Sequence, residues 1–242
     1  MANAARENMY LVPALRSPVE IAEIAAWLAI VLTIATILLL VSLHILSPEF
    51  APSWRMISEY AFGRYGWVLS LMFVCMGTSP WVLAAGIWPD VATRAGKVGL
   101  WFLIGAGVGG AMASVFDVTH ATGHMIAGLL GVLGFPIGAL LVSVSLGRNE
   151  RWGGARRGML WLANLSWVSV VLLVATLAIM TMQMIAITGG HLPQHAPKEL
   201  PPGALALDGW ADRLIVLSNC AWVLFVACHK IAQSRNEARR EE

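Results

Sequence analysis

IAAWLAIVLTIATILLLVSLHI, Ile24–Ile45, holds no Asp, Glu, Lys or Arg. A helix rises 1.5 Å per residue, so a run of this length spans the hydrocarbon core of a bilayer, which needs about 20 apolar residues. Five further runs read the same way: about Trp67–Trp88, Val98–Phe116, Met125–Leu146, Leu160–Ile187 and Leu214–Ile231. Backbone groups in lipid must be satisfied internally, so spans are helices or barrel strands. No ten-residue alternation of apolar and polar residues appears, and helices follow. The first run is too long for a signal-peptide core and no A-x-A site follows it, so it is expected to be a retained span.

Composition agrees. Of 242 residues, 58% are apolar and 12% charged. An ordinary soluble domain is about a quarter charged. Mean hydropathy is +0.71. These values exclude a disordered chain, a disulfide scaffold and a cytosolic α/β enzyme. Cys75, Cys220 and Cys228 all fall inside spans, without metal spacing or a pairing signal. The expected fold is an all-α, six-helix transmembrane bundle. Residues 1–20 would form a cytoplasmic segment, 21–232 the single membrane domain and 233–242 a charged tail.

Six spans put both termini on one side. That side collects 12 of the 16 Lys and Arg, the other four being Arg55, Arg64, Lys198 and Arg213. Positive residues mark the cytoplasmic face. Both termini are therefore expected inside, in a multi-pass protein of the plasma membrane. The net charge of +2 reflects the inside loops and gives no argument for nucleic-acid binding. Gly105–Gly109 and Gly134–Gly138 are small-xxx-small pairs, predicting close packing of spans three and four, or else a homo-oligomer through glycine faces. Pro80 and Pro136 each remove one intrahelical hydrogen bond. Tryptophans near the span ends, Trp152 and Trp161 among them, are expected in an interfacial belt.

Polar chemistry gathers on the opposite, outer side. Five of six histidines lie there, all but His229, together with Glu49, Glu59, Asp117, Asp208 and Asp212. Asp117, His120 and His124 are spaced i, i+3, i+7, one helix face if the helix is unbroken. The two histidines make a workable zinc pair, with Asp117 as third ligand or orienting group. Gly123 and the nearby hairpin turn give the other reading, a polar turn at headgroup level. His191 and His195 repeat the spacing, but Pro193 lies between them, which favours a loop. Arg213, where span six enters the bilayer, either snorkels, pairs with Asp117 or Glu59, or binds a polar head. A single haem held by His44 and His120 or His124 is a further alternative.

The segment His44…Ser47-Pro48-Glu49-Phe50…Pro52-Ser53-Trp54-Arg55-Met56-Ile57-Ser58-Glu59-Tyr60…Gly63…Tyr65-Gly66 resembles the opening of the bacterial and archaeal membrane family catalogued as domain of unknown function 998. In that family an SPE…PS…ISEY loop follows the first span. Asp117 with His124 is similar to its acidic residue and histidine at the end of span three, and Gly209…Arg213 to its entry into the last span. The resemblance covers residues 20–232 or so and implies six spans without an assigned activity. The layout is similar, more distantly, to eukaryotic lipid-remodelling membrane proteins. The residue types are those surrounding zinc in alkaline-ceramidase-like hydrolases. The histidines of loop five depart from the family pattern.

Three functions stay open at this point. A zinc-dependent hydrolase acting on membrane lipid would use His120 and His124 as ligands, Asp117 to orient them and Glu59 as general base. Ser58 and Arg213 would hold the lipid head. A carrier would take a small amphipathic molecule or lipid through the outer polar ring. A non-catalytic assembly factor would bind a partner through its glycine faces. All three require the outer loops to converge.

Overall fold

The computed structural model describes residues 18–189, 199–200, 202–205 and 207–241. His191 and His195 lie outside the described residues. Six long helices follow one another: α1 Pro18–Leu46, α2 Gly66–Ile87, α3 Arg94–Val115, α4 Ala121–Leu146, α5 Arg156–Ile187 and α6 Asp208–Glu241. Each is long and apolar enough to cross a membrane. Short 3-10 helices at Ile57–Phe62, Trp88–Asp90 and Glu150–Ala155 fill the connections. No strand occurs among the described residues. The sequence places span six at Leu214–Ile231, but α6 runs well past both limits. Charges at its ends do not stop it, because a helix leaving the bilayer needs only solvated side chains, and residues 233–241 continue it.

Consecutive helices are neighbours, and α6 returns to pack on α1, so the six close into a ring. The closest pair is α3 with α4, the hairpin that the glycine spacing predicts. The glycines that make it are not all the expected ones. A Cβ on Gly138 would lie 2.8 Å from the Gly99 carbonyl, and one on Gly109 2.6 Å from the Ala127 carbonyl. Gly105 faces open space instead.

Hydroxyls and indoles stitch the ring where lipid offers no partner. Thr33 Oγ1 bonds Ser79 Oγ at 2.7 Å, joining α1 to α2. Trp81 donates to the Ile104 carbonyl at 2.7 Å, joining α2 to α3, and Trp222 donates to Ser143 Oγ at 3.0 Å, joining α6 to α4. At the basic end, Lys230 pairs with Asp90 at 2.7 Å, largely out of solvent. Arg151 pairs with Glu237 at 2.6 Å, and Gln233 bonds the Arg151 carbonyl. The loops after α2 and α4 thus meet the end of α6.

The core is continuous at this basic end, where Leu83, Leu100, Leu146, Met159 and Trp222 are fully buried. Trp152 belongs to it. It is wholly buried, with its ring 5.0 Å from that of His229, and takes no place in an interfacial belt. Trp161, by contrast, is exposed on the outer surface of the bundle.

Candidate functional site

At the other end the core opens. A cavity of about 180 Å³ takes lining residues from all six helices and from loop one. Its walls are mainly apolar or small, including Met76, Pro80, Ala106, Gly128, Gly131, Val132 and Val223. Its polar lining is sparse: the helix-bonded hydroxyls of Thr33, Thr36 and Ser79, then Ser58, His124 and Asp212, with Asn219 two turns further along α6 from Asp212. The Asn219 side-chain oxygen is enclosed and has no hydrogen-bond partner among the described residues. None of the lining residues is Lys or Arg.

Loop one closes over this mouth, held by the first turns of α6. Asp212 Oδ2 accepts from the Ile57 amide at 2.7 Å. The Gly209 amide donates to the Ser53 carbonyl at 3.1 Å. A side chain at Gly209 would collide with the Pro52 and Arg55 carbonyls, so only glycine lets the helix start abut the loop backbone. Arg213 is buried and binds four neutral acceptors. Nε donates to His44 Nε2 at 2.7 Å, Nη1 to the Arg55 and Gly209 carbonyls at 2.8 and 2.9 Å, and Nη2 to the Tyr60 hydroxyl at 3.2 Å.

This arrangement defines His44 chemically. Its Nδ1 lies 2.6 Å from the Leu40 carbonyl, so Nδ1 carries the proton and Nε2 presents a lone pair to Arg213. With both nitrogens engaged, His44 has none left for a haem iron. Arg213 forms no ion pair among the described residues, neither with Asp117 nor with Glu59. It ties α1, loop one and α6 together.

Glu59 is likewise engaged at both oxygens. Oε1 pairs with Arg55 at 3.1 Å and Oε2 accepts from the Met56 amide at 3.0 Å. Burial pushes its carboxyl above the usual range, and Arg55 opposes that shift. Arg55 also lies over the Trp54 ring, 4.6 Å from its centre. Glu59 therefore braces loop one through both carboxyl oxygens.

Asp117, His120 and His124 do not share a helix face. The helix starts between them: His120 precedes the first residue of α4, and Asp117 lies in the turn before it. Asp117 Oδ1 accepts from the Thr119 hydroxyl at 2.5 Å, from its amide at 2.9 Å, and meets His120 Nδ1 at 3.2 Å. The Thr119 hydroxyl, then its amide, hold the Asp117 carboxyl below its usual range. Such a carboxylate stabilises the fold above its unfolded pKa, and the contribution fades as pH falls through the folded value. We expect Asp117→Asn to leave neutral-pH ligand binding unchanged and to flatten the acid limb of a thermal-stability profile. Both side chains of this pair are well exposed, 41% for Asp117 and 62% for His120.

His124 departs from that pair, turning Nδ1 to the Phe116 carbonyl at 3.0 Å and lining the cavity. Among the described residues no group of three or more His, Cys, Asp or Glu side chains is placed to hold a metal ion. The donor set His120–His124–Asp117 does not fit zinc as it stands.

Of the residues the sequence singles out, Ser58 and His124 line the cavity with Asp212 and Asn219, while Asp117 and His120 do not. A signal for Asp212 and Asn219 was present. They are seven residues apart, two helical turns on one face of the last span.

No curated protein and no solved structure is significantly similar to this chain. One family model matches residues 27–229, most of the membrane bundle with its cavity and loop one. The chain belongs to the family described as "Protein of unknown function (DUF998)".

Proposed function

We propose that this multi-pass membrane protein is a carrier-type binding protein for a small amphipathic molecule or single-chain lipid. The apolar tail occupies the cavity between the six helices, and the head rests at Ser58, His124 and Asp212. The observation that carries the reading is the cavity itself: one apolar chamber walled by every helix, with its charged group confined to the loop-one end. Ligand sites are concave, largely apolar and sparsely polar in this way. The 12-to-4 division of Lys and Arg supports placing that end outside and both termini in the cytoplasm. Hydrolysis has weaker support, since both Glu59 oxygens are engaged and the zinc donors do not converge.

The test uses the space beside Gly131, a lining residue where an added Cβ would meet no atom within 4 Å. Gly131→Phe should fold normally and fill the chamber. Protein in an amphipathic polymer would be dialysed against radiolabelled octanol, with protein-free polymer as the blank. We expect wild type to bind and Gly131→Phe to lose at least about tenfold in affinity, a loss of 1.4 kcal/mol or more. Equal binding by a well-folded variant would overturn the proposal.

A further inference from the structure

The charges around the mouth are unequally available, and that selects the head group. Three cations stand near loop one, of which Arg64 lies over the Tyr65 ring, 5.7 Å from its centre. Arg213 gives its donors to His44, Tyr60 and two backbone carbonyls. Arg55 pairs with Glu59 and stacks on Trp54. None of the three lines the cavity, and no other Lys or Arg does. The one acidic side chain on the lining is that of Asp212. Its Oδ2 takes a neutral amide, Ile57 N, and no cation pairs with it among the described residues.

The neighbours favour the same partner. His124 directs Nδ1 at the Phe116 carbonyl, and in the Nδ1–H tautomer that this contact favours its Nε2 is an acceptor. The enclosed Asn219 oxygen is a second acceptor without a donor. Ser58 serves either way. A carboxylate in a low-dielectric wall is costly unless a cation or several donors answer it. An anionic head would meet the Asp212 carboxyl with no Lys or Arg on the cavity lining to offset it.

We infer that the cavity selects amphiphiles with a cationic, hydrogen-bond-donating head, of the long-chain amine class, with the ammonium group on Asp212. This rests on the cavity reading above and adds the head group to it. The experiment compares three octyl probes of like shape in the same dialysis format at neutral pH: octylamine, octanol and octanoate. Octylamine should bind at least about tenfold more tightly than octanoate, with octanol between them. Asp212→Asn keeps an oxygen for the Ile57 amide. It should weaken octylamine selectively and bring octylamine and octanol within about twofold of each other. If Asp212→Asn does not fold, the wild-type order decides alone. Octanoate binding as tightly as octylamine overturns the head-group assignment, even where Gly131→Phe still abolishes octanol binding. Absence of binding by all three probes overturns the cavity reading itself.

Discussion

Replacing Arg213 by Ala should lower the unfolding free energy by about 3 kcal/mol or more, the range seen when a buried, hydrogen-bonded charge is removed. Four acceptors would lose their donor together: His44 Nε2, the Tyr60 hydroxyl, and the Arg55 and Gly209 carbonyls. Lipid offers them no replacement. The damage should be local as well as global, because Arg213 ties loop one to α6. Limited proteolysis should therefore cut residues 47–65 of the variant before any other connection. Arg213→Lys keeps the charge but not the planar fork, and cannot reach all four acceptors. It should fall between wild type and Ala. Thermal unfolding of the three proteins in one detergent checks the order. Equal midpoints for wild type and Arg213→Ala would contradict the role assigned to this residue.

Gly107→Leu should be as damaging, through packing rather than charge. A Cβ on Gly107 would collide with the Gly77 carbonyl and the Trp81 indole. From the other side, a Cβ on Gly77 would lie 2.6 Å from the Gly107 carbonyl and 2.9 Å from the Ala111 amide. Backbone stands on both sides, so neither helix has a flexible end to move. Overpacking of this kind costs about 1–3 kcal/mol for small additions, and leucine adds four carbons. The Trp81–Ile104 hydrogen bond across the same contact would be strained with it. Gly105→Leu is the control two residues away. Nothing lies within 4 Å of a Cβ there, and leucine is the better helix former by about 1 kcal/mol. We expect normal yield and midpoint from Gly105→Leu, and aggregation or a much lowered midpoint from Gly107→Leu.

That contrast shows where sequence reading reaches its limit. The bundle was legible because a bilayer demands long uncharged runs, and six such runs are visible without any partner information. The hairpin of α3 and α4 was legible from its glycines. Which glycine meets which helix was not, because Gly105 and Gly107 are identical in the sequence and differ only in rotation about the helix axis. The polar end of the bundle was legible from the distribution of histidines and acids. Its division was not. Asp117 and His120 stay in an exposed turn because the helix begins at Ala121, and a shift of one turn in that boundary would have joined them to His124. Arg213 read as a snorkelling cation, an ion-pair partner or a headgroup ligand, because a cation at a span entrance has that chemistry. Its four neutral acceptors come from residues up to 169 positions away, beyond any local pattern.

The central claim is that an amphiphile enters the ring of helices. Photo-crosslinking with an alkyl chain carrying a terminal diazirine, followed by peptide mapping, tests it most directly. The account predicts adducts on cavity residues such as Met76, Val132 and Val223, and their loss in Gly131→Phe. Adducts confined to residues on the outer surface, such as Leu38 on α1 and Val171 on α5, would place the alkyl chain outside the ring and contradict it.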